Sequence, residues 1–512
     1  MLRRFASKPP PDRKSNKNRR KRPAGIEVVT AVDLIRDPPE IATFPVKRIF
    51  GNQDMYKDDS RYSPVDQMRM EKKLGVIEQT ASRVIARVID AYTTGKEKIS
   101  LSRLDKDLLR KFQFVMKYRG PLFFSRFNHQ TADAYTSNDR AQFVEYMRAK
   151  NFTRPLDVWF DNLMKIIDMP MDPNGDWTKK LMESIYPPDA MWMFLNVQSM
   201  HLAFVTPSDS HEQFILTDNS FGIHEGPVSF SVNRFTGEQT MTAYTEYHLL
   251  NILTPTLAMI FRHNSMPDPV EDTDPGIRKQ KMEMIAEQAR MHVDPENATS
   301  MLQDLPLAKA HNSYTELQDG RRVLAEGADG KYRASDMFHF FFFKLESRHI
   351  QTINTIMLDQ AHKITKLVFM SESALRMALE FYLTLPVHAK GDHSIKTITD
   401  RSDDPMLLLF RKLEHVARLL GSDITAVYHV EPLMDVSTAN IREMFKQFGI
   451  GSAGGAGREA ARDTKPSPSS TENVRQVPSR AAMVASDHIR WKVAGFSRQG
   501  LHKAFEEIGR DI

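Results

Sequence analysis

The sequence predicts a mainly α protein with a small mixed β-sheet, an α+β fold in which a helical bundle surrounds an inserted strand region. Three observations carry this. Apolar residues recur at three- and four-residue spacing over most of the chain. Short apolar runs punctuated by Pro, Gly, Asn and Asp are confined to about residues 201–262. The composition is 41% hydrophobic and 26% charged, as in a globular protein able to bury a large core.

The first helix is predicted over 64–92, where Leu74, Ile77, Ala81, Ile85, Val88 and Tyr92 line one face and Ser63-Pro64 supplies a cap and first helical residue. Residues 101–117 repeat the pattern through Leu104, Leu108, Leu109, Phe112 and Met116, and Gly120-Pro121 stop it. Further helices are expected at 140–149, 156–168 and 177–198, the last interrupted at Pro187 and Pro188. Strands follow at 202–205, 213–216, 228–233 and 256–262. Helical pattern returns at 279–291, 372–385 and 405–420. Between them lies the long apolar region 337–370, where Phe338, Phe340, Phe341, Phe342 and Phe343 read as a core plug.

Charge is unevenly placed. Ten Lys or Arg against one acid in the first 25 residues give +9, and a total of +5 leaves −4 for the remainder. The expected organisation is a basic arm at 1–25, a helical domain at 26–448 with its β-rich centre at 201–262, a Gly/Ser/Pro-rich linker at 449–480 and a helical tail at 481–512. Lys14, Lys17, Arg19, Arg20, Lys21 and Arg22 are the candidates for binding nucleic-acid phosphates or an import receptor.

The absence of cysteine removes disulfides, thiolate metal sites and thiol nucleophiles. The most apolar stretch, 249–261, is interrupted by Asn251, Thr254, Pro255 and Thr256 and is shorter than the ~20 residues of a membrane span. No signal peptide is recognisable, so an intracellular protein, cytoplasmic or nuclear, is expected.

The chemistry concentrates in one segment. Asp218, Asn219, His224 and Glu225 fall within eight residues, on a turn between expected strands, with Gly222 and Gly226 allowing close approach of a ligand. Carboxylate, amide and imidazole together suit a polar ligand pocket, a divalent metal or an acid/base pair. The ordinary alternative is that Asp218 and Asn219 bond their own turn. Metal-assisted hydrolysis would further require carboxylates from elsewhere, such as Glu71 or Glu78.

Other patterns are decoys. Gly449, Gly451 and Gly454 match G-x-G-x-x-G, but an amphipathic segment precedes them where a strand is needed. Asp172 to Glu183 has calcium-loop spacing, yet Trp177 occupies the place of the required glycine, and a capping turn through Asp176 is expected instead. His201, His311, His339, His349 and His362 follow no ligand spacing. The sequence therefore names no cofactor, no metal and no activity.

Leu2-Arg-Arg-Phe-Ala6, the helix around Glu71 and Glu78, Lys117-Tyr-Arg-Gly-Pro121, Phe214-Ile-Leu-Thr-Asp-Asn-Ser220, and Ile353-Asn354 followed by Ala361 occur in the order of the domain of unknown function 4238 family. The chain resembles the fungal branch of that family over residues 2–385. The family usually opens with a His-containing H-x-x-P-x-F segment before L-R-x-F-A. The resemblance therefore implies a start missing from this chain, together with any site that used that His. The family also favours Pro where Ser220 stands. The resemblance implies a mainly helical fold with a small sheet and no particular activity.

Overall fold

The structure, a computed structural model, describes residues 4–6, 27–49, 69–137, 139–232, 239–387 and 396–431. The basic arm from Lys14 to Arg22, the Gly449 motif, the 449–480 linker and the 481–512 tail lie outside the described residues.

The chain opens with the hairpin β1 (Val28–Asp33) and β2 (Glu40–Pro45). Helix α1 (Arg69–Thr93) buries Leu74, Ile77, Ala81, Ile85 and Val88, the stripe expected of its spacing. Strand β3 (Lys98–Ser102) runs straight into α2 (Arg103–Tyr118). Ser102 is the switch point: its hydroxyl accepts from the Asp105 N–H at 3.2 Å while the Asp105 carboxylate accepts from the Ser102 N–H at 3.3 Å, a reciprocal cap. Helices α3 (Pro121–Phe127), α4 (Arg140–Ala149), α5 (Pro155–Asp168), α6 (Asp176–Ser184) and α7 (Pro187–Gln198) complete a bundle. The start of α6 corrects one expectation. It is Asp172 whose carboxylate accepts from the Asp176 and Trp177 N–H groups, at 3.1 and 2.8 Å, so Asp176 is capped instead of capping.

The middle of the chain supplies β4 (Met200–Pro207), β5 (Leu216–Thr217), β6 (His224–Glu225), β7 (Val228–Val232), β8 (Gln239–Tyr244), β9 (His248–Thr254) and β10 (Leu257–His263). Then come α8 (Pro275–Ala289), β11 (His311–Asn312), β12 (Thr315–Gln318), β13 (Arg321–Leu324), β14 (Met337–Leu345), α9 (Ser347–Asp359), β15 (Lys366–Phe369), α10 (Glu372–Thr384), β16 (Thr397–Thr399), α11 (Pro405–Leu419) and β17 (His429–Glu431). The fold is α+β, but mainly α overstates the helix. Strands occur well outside 201–262, Met337–Leu345 among them, and of its five phenylalanines all but Phe341 pack into the cores. Phe338 and Phe340 are buried while Phe341 is exposed, as alternation along a strand dictates.

A seven-stranded sheet orders its strands β11-β14-β4-β10-β9-β6, with β3 also paired to β14, and the β14–β4 pair is parallel. Both faces of its central strands β4, β10 and β9 are buried. Leu202, Phe204, Leu249, Leu253, Met259 and Phe261 face a core shared with α1 to α7. Ala203, Val205, Leu250, Ile252, Ala258 and Ile260 face a second core. That second core is closed by α9, α10, α11 and a four-stranded sheet ordered β2-β1-β15-β5.

The bundle encloses a charge. Arg126 is fully buried and donates to Asp189 at 3.0 Å, Asp139 at 2.6 Å and the Tyr135 hydroxyl at 2.8 Å. Asp189 also accepts from the Tyr118 hydroxyl and the Asn162 amide, and Asp139 from the Tyr186 hydroxyl. Every charge here has an opposite partner and hydrogen bonds, the condition under which burial is tolerated. Among the described residues no helix is long and apolar enough to cross a membrane.

Candidate functional site

Strand β5 is two residues long and pairs with β15, Leu216 opposite Val368 and Thr217 opposite Leu367. Just past it, Asp218 accepts from the backbone N–H and the hydroxyl of Thr365, at 3.0 and 2.5 Å. The first residue of β15, Lys366, lies opposite Asp33 at the end of β1 and pairs with its carboxylate at 2.9 Å. The end of the four-stranded sheet thus carries acid, base and acid in a row.

Hydrogen bonding at this turn is incomplete. Thr217 Oγ1, Asp218 Oδ1 and Asn219 Nδ2 are all buried and have no hydrogen-bond partner among the described residues. Burial raises the pKa of Asp218, opposed by the Thr365 hydrogen bonds and by the charge of Lys366. Asn219 is held over the turn: its carbonyl accepts from the Gly222 N–H at 2.8 Å, and a Cβ at Gly222 would stand 2.3 Å from its Oδ1.

His224 and Glu225 belong elsewhere. They form β6, paired to β9 at the edge of the seven-stranded sheet, Glu225 opposite His248. The His224 ring meets Tyr244 edge to face at 5.0 Å, and its Nδ1 lies 3.2 Å from the Gly222 carbonyl. Glu225 is buried, with Oε2 accepting from His248 Nδ1 at 2.7 Å and the Ser300 hydroxyl at 2.9 Å, and Oε1 from the Met301 N–H at 2.7 Å. Arg262 donates to His248 Nε2 at 2.9 Å and to the Leu302, Gln303 and Pro267 carbonyls. Burial lowers the pKa of His248. A neutral ring that donates from Nδ1 and accepts at Nε2 fits both neighbours. This network ties the 300–303 segment to the sheet edge and leaves Glu225 fully engaged.

The four candidate residues therefore divide two and two between different sheets. At both glycines the close approach is made by the chain itself: Gly222 makes room for Asn219, and a Cβ at Gly226 would stand 1.9 Å from the Thr245 carbonyl oxygen. The distant carboxylates do not converge either. Glu78 pairs with Arg119 at 2.6 Å and Glu71 is exposed on α1. Among the described residues no group of three or more His, Asp or Glu side chains could hold a metal ion. A concavity of about 850 Å³ opens between residues 36–41, Glu372 and the end of α11, and none of the four candidates lines it.

Thr365, Lys366 and Asp33 escaped the sequence reading. They reach Asp218 through strand pairings that span more than half the described chain, and no local pattern announces such pairs.

No curated protein and no solved structure matches the chain. One family model does match, described as a protein of unknown function, over residues 1–373, which include both sheets' central strands and the turn at Asp218. On that match the chain belongs to the DUF4238 family.

Proposed function

We propose that this chain is a ligand-binding protein that recognises a small polar molecule through the Thr217–Asn219 turn. The observation that carries the reading is the run of three consecutive side chains with a buried, unpaired polar atom. Each such atom costs about 1–3 kcal/mol when unsatisfied, and native structures keep few of them. Three in sequence at the end of a sheet call for a partner that the described chain does not provide. Asp218 Oδ1 would accept from the ligand and Asn219 Nδ2 would donate to it.

Hydrolysis by a metal held among Asp218, His224 and Glu225 draws no support from the geometry, because both Glu225 oxygens are already engaged and face the other sheet.

The test is Asp218→Asn, a neutral group of the same shape. A carboxyl whose folded pKa is raised contributes stability below its unfolded value, near 4, and loses it as pH rises through the folded value. At pH 7 the variant is therefore expected to melt at the same temperature as wild type or higher, with the advantage vanishing below about pH 4. Native mass spectrometry should find a copurifying small molecule on wild type and not on the variant. The reading fails if neither protein carries one, or if both carry it equally.

A further inference from the structure

A second surface, independent of the Asp218 turn, lies on the outer side of β3, β14 and β11. Along β14, Phe338 and Phe340 turn inward, and along β3, Ile99 and Leu101 do the same. The alternate residues must then face outward. Register sets them side by side: Phe341 opposite Lys98, His339 opposite Ser100, and His311 opposite His339. Phe341 is 36% exposed.

One lysine and two histidines surround that ring. Lys98 Nζ lies 5.6 Å from its centroid, and the His311 ring meets it edge-on at 5.8 Å. The Ser100 hydroxyl lies 2.7 Å from His339 Nδ1 and fixes that ring beside the other two. Burial, then the charges of Arg322, His339 and Lys98, lower the pKa of His311, and Asp268 opposes them. Two histidines directly across a strand pair could grip a metal, but the neighbouring Lys98 and Arg322 repel a divalent cation. An anion carrying a flat ring fits both properties, with the base stacked on Phe341 and the phosphate at Lys98 and His311.

We propose that the outer face of β3, β14 and β11 is a stacking platform for single-stranded nucleic acid, with Phe341 as the stacking ring and Lys98 and His311 as the phosphate contacts. Single strands are specified because a base within a duplex has no free face to offer.

The experiment uses the full chain and fluorescence anisotropy, with a fluorescein-labelled oligothymidine and a duplex of equal length as probes. Wild type is expected to bind the single strand more tightly than the duplex. Phe341→Ala should weaken single-strand binding about tenfold, the scale of one lost base stack, and leave duplex binding unchanged. Phe341→Trp should retain both affinities. Lys98→Ala should weaken both and flatten the salt dependence. The proposal is overturned if Phe341→Ala leaves single-strand binding intact. It is equally overturned if that variant weakens both probes by one factor, or if wild type shows no preference, since binding would then run through charge elsewhere, the basic arm included.

Discussion

Replacing Arg126 with methionine is expected to destabilise the protein by about 3–5 kcal/mol, the cost of removing one partner from a buried ion network. The guanidinium is entirely enclosed, and its loss leaves Asp139 and Asp189 as two buried carboxylates with only hydroxyl and amide donors. Burial already raises the Asp189 pKa, opposed by Arg126 and its hydrogen bonds. Without the cation that carboxyl moves further up. A raised carboxyl is stabilising below its unfolded pKa and costs stability above its folded one, so the deficit should be largest at pH 8 and shrink toward pH 4. Urea denaturation at the two pH values measures it. A deficit independent of pH would show that lost packing, and not the stranded carboxylates, dominates. Arg140→Ala is the control: its pair with Asp133 is exposed, and such pairs are worth about 0–1 kcal/mol.

Gly226→Ala should be almost as damaging, at about 2–6 kcal/mol, combining roughly 1–3 for backbone strain with 1–3 for overpacking. Gly226 has φ +153°, and its added Cβ would stand 1.9 Å from the Thr245 carbonyl oxygen and 3.2 Å from the Tyr247 N. These are backbone atoms held by the Thr245 to Pro227 and Tyr247 to Glu225 hydrogen bonds, so they cannot swing aside as a side chain would. Gly95 provides the comparison. It has φ +75° and no atom of the described residues within 4 Å of an added Cβ, so Gly95→Ala should cost only the ~1–2 kcal/mol of the left-handed backbone. Equal melting temperatures for the two variants would refute the assignment of the larger loss to the clash.

Most helices were legible because each carries its own evidence, but α3, which begins at the Gly120-Pro121 stop, and α9, inside the apolar run 337–370, were not. Leu74, Ile77, Ala81 and Val88 declare a buried face within a few turns, and Pro187-Pro188 marks the break between α6 and α7. The strands were harder for a physical reason. Strand β9 is buried on both faces, so His248–Thr254 shows no alternation and merges with β10 into one apolar run. Strands β1 and β2 are six residues each and acquire meaning only from β15, which follows them by more than 300 residues. At the site, the turn at Asp218 was visible as a dense patch of polar residues. Its division was not: nearness in sequence says nothing about which sheet a two-residue strand joins, and β5 and β6 join different ones. Likewise His311 and His339, 28 residues apart and without ligand spacing, become neighbours only through the register of β11 on β14.

Because the seven-stranded sheet is a wall common to both cores, neither half of the molecule has a complete interior without the other. Melting should follow one transition by every probe, and a cut near residue 200 should yield no half that folds alone. The parallel β14–β4 seam adds a constraint on biosynthesis. Phe342 must leave the ribosome before Phe204 gains its neighbour, so the nascent chain exposes the rim of β4 through some 140 residues of elongation. A chaperone that shields that rim would be expected to raise the yield of native protein more than one acting on the helical bundle.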